Sequence, residues 1–147
     1  MALISAADQA RLRDEFARMT RDVRVVFFTQ TLGCDSCLPT RQILDELPAL
    51  SDRIAIEEVN LVLEPDQAGA FGIDRVPAVA LVSVDGEVRS DSRIRFLGPP
   101  SGYEFIALVR AVLLVGGARE PQLSDQNRAR LAALETPLTL QVFTTPT

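Results

Sequence analysis

The stretch Val23–Pro39, VRVVFFTQTLGCDSCLP, decides the reading of this 147-residue chain. It opens on an apolar, β-branched and aromatic run (Val23, Val25, Val26, Phe27, Phe28), the composition of a buried strand. A polar turn with Gly33 follows, then Cys34-Asp35-Ser36-Cys37, then Pro39 and a helical pattern. The only two cysteines therefore fall at a strand-to-helix junction. The first turn of a helix presents unpaired N–H groups and the positive end of its dipole, which favour a Cys34 thiolate. Cys37, one turn on, is close enough to close a small disulfide ring with it. A C-x-x-C in this context is a far more specific signal than the spacing alone.

Composition removes most other chemistries. The chain has no histidine and no lysine; all fifteen basic residues are arginine. No Ser-His-Asp or Cys-His pair, lysine Schiff base or Walker A lysine can be assembled. Two thiols without an imidazole leave no four-ligand zinc site of Cys and His within one chain. The net charge of −5, with acids and bases interspersed, argues against nucleic acid as a partner. The N-terminus lacks the basic start and apolar core of a secretory signal, and no run of about 18 apolar residues could cross a membrane. A cytoplasmic location without membrane association is the expectation, and there a C-x-x-C serves redox chemistry or metal binding more often than stapling.

Along the chain, Ser5–Met19 reads as an amphipathic packing helix capped by Ser5, with Leu12, Phe16 and Met19 on one face. Strand Val23–Thr29 leads to a helix from Cys37 to Leu47, with Pro39 in its first turn and Ile43, Leu44 and Leu47 as its buried stripe. Arg53–Leu63 reads as a second strand, Glu64–Phe71 as a short helix and Ala78–Val84 as a third strand. Asp85-Gly86 signals a hairpin returning antiparallel, with Arg93–Leu97 its later part. Ser101-x-x-Glu104 has the form of a capping box opening a helix Gly102–Val115, which Gly116-Gly117 closes. Parallel strands joined by helices, then an antiparallel hairpin, predict an α/β fold: a mixed sheet covered on both faces. Beyond Gly117 come a linker (Ala118–Leu123), a short helix (Ser124–Leu134) and a strand-like Leu138–Phe143 that weakly echoes Val25–Thr31.

Pro77 stands at the entry of the third strand. Proline there removes a ladder donor; paired with an upstream C-x-x-C, it resembles the cis-proline of thioredoxin-like folds, and that resemblance implies a cis bond that leaves the backbone of Val76 free to pair with an extended substrate. With CDSC, IDRVPA (Ile73–Ala78), FLGPPSGYEF (Phe96–Phe105) and LQVFTTPT, the chain resembles the two-unit protein disulfide oxidoreductases, also called glutaredoxin-like, in which two thioredoxin-like units each carry a C-x-x-C. The resemblance implies a thioredoxin-like unit over 1–117. Over 118–147 it implies a linker helix and the first strand of an incomplete second unit. It departs from thioredoxins at Phe28, where they commonly carry a buried Asp, and at Gly33 and Asp35-Ser36, where they often have Trp and Gly-Pro.

The expected activity is thiol–disulfide exchange with protein or small-molecule disulfides, with no cofactor and no metal. Cys34 is the nucleophile and Cys37 the resolving thiol. Val76 and cis-Pro77 contact substrate; Asp35 and Ser36 modulate the thiols. A thioredoxin-reductase-like protein or glutathione is the expected reductant. Asp35, acidic and adjacent, opposes thiolate formation if its carboxylate faces Cys34, which places the potential toward about −270 mV. Glu57 and Glu58 are read chiefly as solvent-facing carboxylates, one of them an alternative proton acceptor for Cys37; Arg41 and Asp45 are read as a solvated i,i+4 pair. Two other readings compete: a catalytically weak thioredoxin-like module that docks a partner or second redox unit, and an intersubunit zinc or iron–sulfur site shared by two C-x-x-C pairs. The open edge of Leu138–Phe143 further suggests a homodimer by strand addition.

Overall fold

A computed structural model of the chain describes residues 4–145. Its elements run α1 (Ala6–Phe16), β1 (Asp22–Thr29), α2 (Cys37–Asp45), β2 (Ile54–Asn60), α3 (Pro65–Ala70), β3 (Ala78–Asp85), β4 (Val88–Leu97), α4 (Tyr103–Val115) and α5 (Asp125–Ala132). The strands form one mixed sheet in the order β2-β1-β3-β4. β1 pairs parallel with β2 and antiparallel with β3, and β3 pairs antiparallel with β4.

β1 is central, which explains why its sequence is apolar almost throughout instead of alternating. Val23, Val25 and Phe27 face one layer, packed with Phe16, Leu44 of α2 and Leu108 and Val112 of α4. Val26 and Phe28 face the other, with Val59, Ala68 of α3 and Ile73. Phe28 meets Phe71 edge to face, ring centroids 5.5 Å apart, and the Arg95 guanidinium lies 5.3 Å over the same Phe71 ring. The sheet is thus covered on both sides.

Local chemistry sets the ends of these elements. Ser5 caps α1 by accepting the Asp8 N–H at 3.2 Å; residues 1–3, ahead of the expected helix, lie outside the described residues. Met19 follows the end of α1 but is buried as expected. At the far end of the fold, the Gly116 carbonyl accepts N–H bonds from Thr20 (2.9 Å) and Arg21 (3.0 Å). A Cβ on Gly117, which has φ 78°, would stand 2.4 Å from Thr20 Oγ1, and one on Gly116 2.5 Å from Met19 Cε, so glycine permits this close approach.

The structure differs from the sequence reading in five further places. α2 ends at Asp45, before Leu47 and Pro48, though Leu47 is still buried. β2 stops at Asn60 rather than Leu63, because the Asn60 side-chain oxygen accepts the N–H groups of Val62 and Leu63 and bends the chain into a turn. The hairpin loop is Gly86-Glu87, with Asp85 paired to Val88. Ser101 and Glu104 form no capping box: Gly102, at φ 58°, is the N-cap of α4, and no side chain caps it. Glu104 instead accepts a hydrogen bond from Thr144.

The fifth is Leu138–Phe143, which is not a strand. Its side chains are exposed, Leu140 at 91% and Phe143 at 90%. A strand exists through its partner's hydrogen bonds, and none pairs with this segment among the described residues. The last two residues of the Thr-Pro-Thr ending, 146 and 147, lie outside the described residues.

β4 is irregular near Arg93, a non-glycine residue at φ 62° where the register with β3 shifts. The Asp91 carboxylate organises it, accepting two bonds from Arg95 (2.8 and 2.6 Å) and the Arg93 N–H (2.8 Å). The Arg95 hydrogen bonds hold the Asp91 carboxyl below its ordinary value, against the opposing effect of burial. A carboxyl whose pKa is lower folded than unfolded stabilises the fold above its unfolded value, and that contribution is lost as pH falls through the folded value. Asp91→Asn should therefore lower the urea midpoint at about pH 6 and leave it nearly unchanged at about pH 2, the difference corresponding to at most about 1 kcal/mol for a pair still in reach of solvent.

Candidate active site

The junction between β1 and α2 forms the site. Cys34 and Cys37 are joined in a disulfide, with Cα atoms 5.4 Å apart. The two sulfurs differ in environment. Cys37, the first residue of α2, is 5% exposed and belongs to the core cluster beneath the helix, whereas Cys34 is only half-buried. The Cys37 N–H reaches the Cys34 carbonyl at 3.3 Å. Ser36 is the N-cap but makes no side-chain capping bond, and no acidic residue occupies the first turn of α2. The positive end of the helix therefore has no acidic side chain in its first turn to offset it, although the Cys37 N–H is already engaged and Pro39 has none to offer. Asp35 is exposed.

Cys34 and Pro77 are brought to the same end of the sheet by register. Phe28 near the end of β1 lies opposite Ala78 at the start of β3. The Val76–Pro77 peptide bond is cis, the Pro77 carbonyl accepts the Gly98 N–H at 2.8 Å, and Val76 packs between both core clusters. Among the described residues, no hydrogen-bond partner meets the Val76 N–H or C=O. Just before it, Arg75 clasps Asp74 with bonds of 2.7 and 3.2 Å and holds that exposed carboxyl below its ordinary value.

Neither glutamate of β2 is left to serve the cysteines. Glu58 pairs with Arg41, which also holds Asp45 at 2.7 Å. Glu57 is bound by Arg89 (2.7 Å) and Gln67 (3.3 Å). Arg41 thus ties α2 to β2, where the sequence showed only its helix partner. Three further residues escaped the sequence reading. Thr40 is fully buried, and its hydroxyl donates to the Ser36 carbonyl at 2.7 Å, fixing the first turn of α2 from within. Gln30 braces the cysteine loop by donating to the Leu32 and Gly33 carbonyls at 2.8 and 3.4 Å. Asn60 builds the adjoining turn. Polar residues beside turns are too common for such roles to stand out in sequence. Among the described residues no group of three or more Cys, Asp or Glu could hold a metal ion, and no helix is long and apolar enough to cross a membrane.

A four-stranded mixed sheet flanked by helices, with a C-x-x-C disulfide at a helix start and a cis-proline at the same end, defines a thioredoxin-like fold. Its solved relatives agree. The NTD_N/C domain of alkylhydroperoxide reductase AhpF from Enterococcus faecalis superposes with a TM-score of 0.76 at 28% identity, covering 88% of this chain and 60% of that one. A protein disulfide oxidoreductase from Aeropyrum pernix superposes with a TM-score of 0.72 at 26% identity, covering 91% of this chain and 56% of that one. A thioredoxin from Halobacterium salinarum, 18% identical with a TM-score of 0.51, covers 73% of this chain and 84% of its own and shares the fold. The chain thus spans 56–60% of the length of the two more similar structures. No protein-family model matches it, and no curated protein does.

Proposed function

We propose that this chain is a thiol–disulfide oxidoreductase that exchanges disulfides with protein or small-molecule substrates through Cys34 and Cys37. The observation that carries the reading is the unequal exposure of a joined cysteine pair at a helix start. In the reducing direction, the Cys34 thiolate attacks a substrate disulfide and expels one substrate thiol, forming a mixed disulfide. The Cys37 thiol then attacks Cys34, releases the second substrate thiol and restores the ring, so two electrons and two protons pass to substrate. Val76 and cis-Pro77 are assigned to the substrate backbone, and Asp35 and Ser36 to modulation of the pair. The reductant is a thioredoxin-reductase-like protein or glutathione. With no lysine or histidine in the chain, thiolate formation rests on the N-terminus of α2.

On this reading 1–117 is the exchange unit and 118–147 belongs with a second thioredoxin-like unit. Equilibration with glutathione or dithiothreitol buffers tests the function. The expected result is a reversible two-electron couple toward the thioredoxin end of the range, about −270 mV, together with insulin reduction. A pair locked in one state without turnover would instead indicate a docking module.

A further inference from the structure

One rim of the disulfide carries a feature that exchange chemistry alone does not require. The Leu61 N–H bonds the Thr29 carbonyl at 2.8 Å, so the turn after β2 lies directly beside the loop that leads from β1 to Cys34. That turn is tightly built. Asn60 Oδ1 accepts the Val62 and Leu63 N–H groups at 3.0 and 3.1 Å, the Glu64 N–H bonds the Asn60 carbonyl at 2.8 Å, and the Glu64 carboxylate accepts the Asn60 N–H at 2.9 Å. Yet it holds Val62 69% and Leu63 77% exposed. Across from it, the Gln30-braced loop holds Leu32 83% exposed, two residues before Cys34. A single exposed aliphatic side chain is ordinary; three on adjoining, hydrogen-bonded segments make a candidate patch.

The charge around this patch has one sign. Asp35, Glu64 and Asp66 stand within three residues of it along the chain and are exposed, while residues 25–40 and 54–74 contain no arginine. The arginines just beyond, Arg41 and Arg75, are held by Asp45 and Glu58 and by Asp74. The patch lies on the β2 side of the cysteine loop, away from cis-Pro77, which lies on the β3 side.

We propose that Leu32, Val62 and Leu63 form a selectivity ledge for polypeptide disulfides whose reacting cysteine is flanked by apolar and basic side chains. The inference rests on the proposed exchange at Cys34. The ledge is continuous with the loop carrying that sulfur, so a substrate backbone held at Val76 crosses the disulfide and lays its flanking side chains on the β2 side. Apolar burial there supplies affinity, and the acidic border favours lysine or arginine.

The test compares reduction of two probes by the reduced protein: a disulfide-linked Leu-Leu-Cys-Arg peptide and hydroxyethyl disulfide. Each reaction converts one substrate disulfide to two thiols as the protein dithiol becomes a disulfide. In the Val62→Ser/Leu63→Ser variant, whose turn keeps its backbone bonds, the peptide rate should fall about tenfold while the hydroxyethyl disulfide rate stays within about twofold. Leu32→Ser should act in the same direction, and replacing the peptide's arginine by glutamate should slow the wild type by an amount that added salt erases. Equal effects on both probes, or none on the peptide, would overturn the ledge. So would light scattering that shows a wild-type dimer dissociated by the double substitution, because a second copy would then cover the patch. Wild-type protein that reduces neither probe would overturn the exchange reading itself, and the ledge with it.

Discussion

Cys37→Ser is expected to trap a covalent mixed disulfide with substrate, whereas Cys34→Ser should form none and should lose turnover by at least about a thousandfold. The asymmetry follows from burial. Cys37 is 5% exposed and packed into the core under α2, so an incoming disulfide cannot align with its sulfur. Cys34 is half-buried at the loop surface. Without Cys37, attack by Cys34 still breaks the substrate disulfide, but no neighbouring thiol completes the second displacement. Mass spectrometry of each variant after mixing with a peptide disulfide reads the result directly. An adduct on Cys34→Ser in place of Cys37→Ser would reverse the two roles.

The second large effect concerns Phe28. It is fully buried in the layer opposite α2, beside Val26, Val59 and Ala68 and edge to face with Phe71. Phe28→Ala removes a large aromatic side chain from a packed layer and should cost about 3–5 kcal/mol in urea unfolding. Phe28→Asp, which restores the residue type common in thioredoxins, should cost more. A carboxylate there has no built partner, and burying an unpaired charge adds several kcal/mol to the lost packing. Phe28→Leu should cost least, under about 2 kcal/mol, because it keeps most of the apolar volume. An aspartate variant as stable as wild type would show that this layer admits water or a counter-charge. The position also bears on mechanism: with phenylalanine here and both β2 glutamates engaged by arginine, none of these three positions offers the proton leaving Cys37 an unengaged carboxylate.

Much of this architecture was legible in the chain because it rests on strong local signals. The apolar run of β1, the Gly116-Gly117 stop and the proline before β3 each admit few conformations. The cysteine pair was legible for a different reason: its chemistry needs both thiols, and the chain has only two. What stayed hidden depends on competition or on distance. Val62 and Leu63 continue the apolar pattern of β2, and the strand ends because the Asn60 side chain captures their N–H groups while Glu64 closes the turn. Ser101 and Glu104 have the spacing of a capping box, but Gly102 at φ 58° makes itself the cap. Leu138–Phe143 alternates like a strand, yet a strand is a pairing and not a property of one segment. The link from Arg41 to Glu58 spans seventeen positions, beyond any helical period.

The glycine contact at the end of α4 gives the molecule a handle. Gly116 is fastened to Thr20 and Arg21 at the foot of β1, and Arg119 is fastened to Glu15 at 2.7 Å. The disulfide sits past the head of the same strand, eight residues or about 26 Å away along it. Tension applied to the chain beyond residue 118 is therefore expected to meet the fold first at the Gly116 carbonyl and the Arg119–Glu15 pair, at the end of β1 remote from the cysteines. The grip on the chain and the reactive edge thus lie at opposite ends of one strand, as the handle and edge of a blade do.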